Sequence, residues 1–192
     1  MLGLRTVMVS WFGMKIVRVE ELLERYQKGD RNFRDLNLRQ AHLFDCNLQN
    51  IDLCNSNLQD AYLCYCNFSR ANLSGADLSG ANLSSAILHA TQFRNSTLKG
   101  CDLHRTSLYA ADLRNADLSE CDLQVSDLRQ VNFNGAKLRG SNLRHANLTQ
   151  ATFVDTDLRQ CDLRRARGAD FRGSLMDEST ILPSGYQGNE LS

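Results

Sequence analysis

Leucine or phenylalanine recurs at every fifth position from Phe33 to Leu163, 27 times in succession and without a gap. A helix repeats every 3.6 residues and a strand every two, so a strict period of five belongs to neither. Two residues before most of these centres stands a small residue, as at Ala41, Cys46, Ser56, Ala71 and Ala86. Between the two sits Asn or Asp in most repeats, as at Asn47, Asp52, Asn72 and Asp102. The two residues after the centre are mostly polar or glycine, as in Ser74-Gly75 and Ser79-Gly80.

This pattern predicts three extended residues followed by a turn. Extended residues alternate sides, so the small residue and the centre face in while the Asn or Asp between them faces out. Gly, Asn, Asp and Ser suit the corner. Repeated corners wind the chain into a coil, and each coil must stack on the next to satisfy its backbone groups. A second period is visible in the spacing of the larger side chains. Phe33, Phe93, Phe133 and Phe153 differ by multiples of 20, and Cys46/Cys66 and Cys101/Cys121 differ by 20. The sequence therefore predicts Phe133 stacked on Phe153 one coil later.

Units such as Ala71-Asn72-Leu73-Ser74-Gly75 resemble those of the pentapeptide-repeat family. The resemblance covers residues 31 to about 182 and implies an all-β fold, a right-handed quadrilateral β-helix with four repeats per coil. The 27 repeats correspond to about 7–8 coils once the chain end is included, and at roughly 4.8 Å per coil the regular rod is about 33 Å long.

A stacked rod leaves an open core and open edges at both ends, so caps are expected. Residues 1–18 read as an N-terminal extension. Residues 19–29 read as a short capping α-helix, with Val19, Leu22, Leu23 and Tyr26 on one face and Gly29 as the stop. A helix in this place also resembles the start of cyanobacterial members of the family. Met14 is an alternative start to Met1, and no cleavable leader or membrane span is expected. Residues 31–163 form the regular β-helix. Residues 164–183 carry an interruption, since the centre after Leu163 is Phe171; period five then resumes at Met176 and Ile181 and ends at Pro183. Residues 184–192 read as a loose tail. The apolar residues of this final segment are also a candidate homodimer contact, as in some family members.

Lys+Arg and Asp+Glu each total 22, so the chain has no net charge to draw it to nucleic acid or an anionic membrane. Seven cysteines, an odd number, fit reduced thiols in a cytoplasmic protein. In register, only Cys54 and Cys64 are expected to be exposed. No GxGxxG, Walker loop, HExxH or GxSxG motif occurs, and the four histidines are scattered. The sequence predicts no enzyme, no cofactor and no metal.

Two surface features remain. Phe44, Tyr62 and Tyr65 point outward on one side of the rod, and aromatics gathered on a polar surface are a candidate partner contact. Packing against one another or beneath the N-terminal helix is the competing reading. Asp102, Asp112, Asp117, Asp122 and Asp127 form a candidate acidic band, interleaved with arginines. Some family members mimic DNA and bind type II topoisomerases such as DNA gyrase, which requires a net-negative face. Others act by protein contact, including in cyanobacterial cell differentiation. The resemblance therefore implies first a rigid protein-interaction scaffold or regulator, and as the alternative a DNA mimic.

Overall fold

The computed structural model describes residues 8–9 and 14–187. Residues 1–7 and 10–13, on which the Met1 or Met14 alternative bears, lie outside them.

Parallel bridges link residues 20 apart, from Asn32↔Asp52 and Asn37↔Asn57 through to Asn147↔Arg167. Four repeats therefore close one turn of a four-sided coil. We number the sides from the first coil: side 1 starts at 31–35, side 2 at 36–40, side 3 at 41–45 and side 4 at 46–50. Each recurs every 20 residues.

The repeat from Cys101 to Arg105 shows why five residues suffice. The Cys101 N–H donates to the Leu98 carbonyl at 3.0 Å and closes the corner. The Asp102 N–H reaches back one coil to Ala81 O at 3.1 Å, and the Leu103 N–H reaches forward to Asp122 O at 2.8 Å. The Arg105 N–H bonds forward to Gln124 O at 3.0 Å. The remaining donor, the His104 N–H, is taken by the Asp102 side chain at 3.0 Å. All five backbone donors are satisfied without water. The second corner residue sits at positive φ throughout, as at Asp35 (56°), Asn55 (57°) and Gly75 (67°), the geometry of a type II turn.

Leucine and phenylalanine centres fill the axis of the rod and are essentially inaccessible from Leu43 to Leu163. Phe133 and Phe153 stack with centroids 5.2 Å apart, and Phe171 continues the column at 5.3 Å. Where the small inward residue is Ser, Thr or Cys, it mostly donates to the carbonyl of a centre 23 residues earlier, while Ser96 and Thr106 donate to the centre three residues earlier. Thr91 Oγ1 reaches Phe68 O at 2.8 Å, and Cys121 Sγ reaches Leu98 O at 2.9 Å.

The N-terminal end is closed by short elements. Strand β1 (Met8–Val9) pairs antiparallel with β2 (Lys15–Ile16), which pairs parallel with β3 (Leu36–Asn37) on side 2. Helix α1 (Val19–Gln27) lies over the core, with Leu22 fully buried and Val19, Leu23 and Tyr26 packed beside it. Its first-turn Glu20 and Glu21 face the positive end of the helix dipole.

The C-terminal end departs from the sequence expectation. Ile181 is not a centre: it pairs with Asp162 in the ladder, and Leu182 is the buried residue. The corner before it is shifted, because the Thr180 N–H bonds to Asp177 O at 3.1 Å, so the turn closes one residue late. Nor is the chain a loose tail from Ser184. Gln187 pairs antiparallel with Ile181, and the Leu182 N–H bonds to Tyr186 O at 2.8 Å. Residues 188–192 lie outside the described residues.

Candidate functional site

Side 3 carries the aromatic cluster. Phe44 and Tyr65 occupy corner positions and Tyr62 an outward ladder position, where the chain has no inward alternative. Phe44 stacks on Tyr62 at 5.9 Å and meets Tyr65 edge-on at 5.5 Å. The rings remain 53 %, 40 % and 56 % exposed for Phe44, Tyr62 and Tyr65. They touch one another, yet α1 does not bury them. His42, one coil before Tyr62, extends the cluster at 5.9 Å. The 20-residue spacing from Tyr62 is the sequence signal that places His42 here.

Cys64, expected to be exposed, is buried beneath this cluster. Ser84 Oγ donates to its sulfur at 3.3 Å from the next coil. The Tyr62 hydroxyl is raised above its ordinary range, chiefly by its hydrogen bond with Cys64. Cys46 and Cys54 are half-buried. Cys46 faces in as expected, but its core position lies at the end of the rod. Burial pushes the Cys66 and Cys161 thiols up to about 12.

The five aspartates of the acidic band do not share a surface. Asp102 and Asp122 are stacked on side 3, whereas Asp112, Asp117 and Asp127 stand on sides 1, 2 and 4. Asp102, Asp117 and Asp122 bind the corner amides of His104, Ser119 and Gln124 at 3.0 Å each. Asp112 is held between Arg94 at 2.6 Å and Arg114 at 2.8 Å. Burial alone would raise its carboxyl, but the hydrogen bonds from Arg114 and Arg94 outweigh this and bring it to about 2. Asp127 pairs with Arg129 at 2.7 Å, and the same two-residue pairing recurs at Asp157/Arg159 and Asp162/Arg164. Hydrogen bonds from these arginines hold the three carboxyls below the usual range.

His89 and His104 lie on different sides. His89 Nε2 sits 2.7 Å from Ser107 Oγ on an open face. Among the described residues, no group of three His, Cys, Asp or Glu side chains could hold a metal ion. None of their helices is long and apolar enough to cross a membrane.

A coil of four five-residue sides, repeated with a Leu or Phe centre, defines a class of protein. The sequence model for pentapeptide repeats matches residues 30–60, 56–90, 86–124 and 126–165, and the chain belongs to that family. Its members form right-handed quadrilateral β-helices. No curated protein matches the chain. Among solved structures, a pentapeptide repeat protein of the Arabidopsis thaliana thylakoid lumen is 31% identical, with a TM-score of 0.50. That match covers 52% of this chain and 69% of the other. HetL, a protein involved in heterocyst differentiation regulation from the cyanobacterium Nostoc sp. strain PCC 7120, is 28% identical. Here the match covers 89% of this chain and 99% of HetL, with a TM-score of 0.41. QnrB1, a plasmid-mediated fluoroquinolone resistance protein, is 22% identical over 77% of this chain and 87% of its own, with a TM-score of 0.34.

Proposed function

We propose that this protein is a non-enzymatic interaction scaffold of about 7–8 coils whose partner, another protein, docks on the side-3 cluster of Phe44, Tyr62 and Tyr65. The observation that carries this reading is the exposure of three mutually packed rings on one side of the rod. Rigid aromatic side chains lose little entropy on binding and dominate interface energetics. The coil supports them from behind through its backbone ladder, so a partner meets a preformed surface.

The alternative, a DNA mimic that binds a topoisomerase, needs a continuous negative face. Dispersal of the aspartates over four sides and their arginine partners weigh against it. At the far end, Leu175 and Tyr186 are exposed at 54 % and 65 %, which supports the homodimer contact there as a second interface. We place the protein in the cytoplasm, where its cysteines stay as free thiols.

The test is affinity capture from cells of the source organism with the full chain and with Phe44→Ala and Tyr65→Ala. The reading requires one bound protein to be lost in both variants. Retention in both contradicts it. Dose-dependent inhibition of gyrase supercoiling by the purified chain would favour the alternative instead.

A further inference from the structure

Resting on the side-3 cluster as a partner contact, we propose that an extended segment of that partner, carrying a lysine or arginine, adds as a strand to the open first rung at His42. Within the rod, each rung is bonded by the coil before it. The Tyr62 N–H, for instance, donates to Ala41 O at 2.9 Å, and the Leu43 N–H donates to Tyr62 O at 2.9 Å. The first coil has no predecessor, and the chain supplies substitutes on three of its sides. On side 2, β2 pairs with β3. On side 1, the Asp30 carboxylate takes the Asn32 N–H at 2.9 Å. On side 4, beside α1, the Tyr26 hydroxyl donates to Gln49 O at 2.9 Å, although the N–H and C=O of Asn47 have no partner among the described residues.

Side 3 has no such substitute among the described residues. Among the described residues, neither the N–H nor the C=O of His42 has a hydrogen-bond partner, and Phe44 O receives only the Cys46 thiol at 3.6 Å. The place a preceding strand would take is a groove of about 530 Å³, lined by Ile16, Val17, Leu38 and His42 and by two arginines whose charge is already paired, Arg18 with Glu20 and Arg39 with Asp60. A strand lying in it would continue the parallel ladder His42↔Tyr62↔Asn82 by one rung. One partner C=O would take the His42 N–H, and the N–H two residues on would reach the His42 C=O.

Charge complementarity selects the side chain. Asp45 follows Phe44 at the same corner, is exposed, and makes no ion pair among the described residues. Aromatic ring faces and a free carboxylate together attract a cation. A lysine or arginine projecting from the added strand over Phe44 and Tyr65 would meet both.

The test uses a random linear peptide library displayed on phage and selected on the full chain. The selected peptide is then synthesised and scanned by single N-methylation. The proposal predicts basic peptides whose binding slows hydrogen exchange at the His42 amide. Methylation of the amide facing the His42 carbonyl should weaken binding about tenfold. Asp45→Asn should weaken it about threefold or more, with the loss disappearing at high salt. Phe44→Ala should abolish it while leaving the melting temperature unchanged. Peptides that need Phe44 but tolerate every N-methylation, and leave His42 exchange unaltered, would overturn strand addition while leaving the partner contact standing. Peptides indifferent to Phe44→Ala and Tyr65→Ala, or a library that yields no binder, would overturn both. A concentration-dependent dimer of the chain alone, lost in Phe44→Ala, would put a second copy at the rung and overturn the proposed partner.

Discussion

Asp102 Oδ1 accepts the backbone N–H of His104 at 3.0 Å, so the outward residue of the repeat completes the hydrogen bonding of its own corner. The same bond joins Asn72 to Ser74 and Asp117 to Ser119. Asn and Asp share the acceptor and differ only in charge. Asp102→Asn should therefore leave stability nearly unchanged, whereas Asp102→Ala should cost about 1 kcal/mol in denaturant unfolding. Equal effects of the two substitutions would show that the charge, and not the acceptor, is what the fold uses.

Val125 occupies the second corner position at φ 60°, where a β-branched side chain is strained. Its side chain is 48 % exposed, so little packing is lost on replacing it. Val125→Gly or Val125→Asn should stabilise the rod by roughly 1 kcal/mol, read as a rise in melting temperature. A fall would show that Val125 is held by contacts that outweigh its backbone strain.

Thiol accessibility divides the seven cysteines. Cys46 and Cys54 are half-buried, whereas Cys64, Cys66, Cys101, Cys121 and Cys161 are buried. In the native protein, iodoacetamide at neutral pH should label Cys46 and Cys54 alone, with the other five reacting only after unfolding. Early labelling of Cys64 by peptide mapping would contradict its place beneath the aromatic cluster.

The carboxyl of Asp112 is lowered to about 2, so its ion pairs with Arg94 and Arg114 stabilise the fold above the unfolded carboxyl range and lose effect as pH falls through the folded value. Stability should stay level from neutral pH to about 4 and decline between about 4 and 2. Carboxyl NMR should give Asp112 a midpoint near 2 in the folded chain. A midpoint in the ordinary range would show that the two arginines do not engage it in solution.

Much of this architecture was legible because burial enforces it. The unbroken centres and the spacing of Phe133 and Phe153 gave the period of five and the coil of 20, since a one-residue slip would turn every centre outward. What the sequence left unread depends on neighbours one coil away. The corner position of Cys64 predicts exposure, yet Ser84 one coil on and Tyr62 in its own repeat cover it. The outward Asn and Asp positions were visible, but not their task of binding a corner amide. Ile181 and Leu182 exchanged roles because the late turn at Asp177–Thr180 leaves no mark in the spacing of apolar residues. The aromatic cluster was predicted residue by residue, whereas the open rung at His42 emerged only once the caps on the other sides were placed.

The stacking of residues 20 apart on one side is the claim on which the rest depends. A Ser107→Cys/Asp127→Cys pair places two outward cysteines on adjacent rungs of side 4, within disulfide reach. Mild oxidation followed by peptide mapping should recover a 107–127 disulfide in the folded protein. Ser107→Cys/Asn132→Cys, 25 apart and on the next side, should give none. A disulfide in the second variant and not in the first would contradict the four-sided coil.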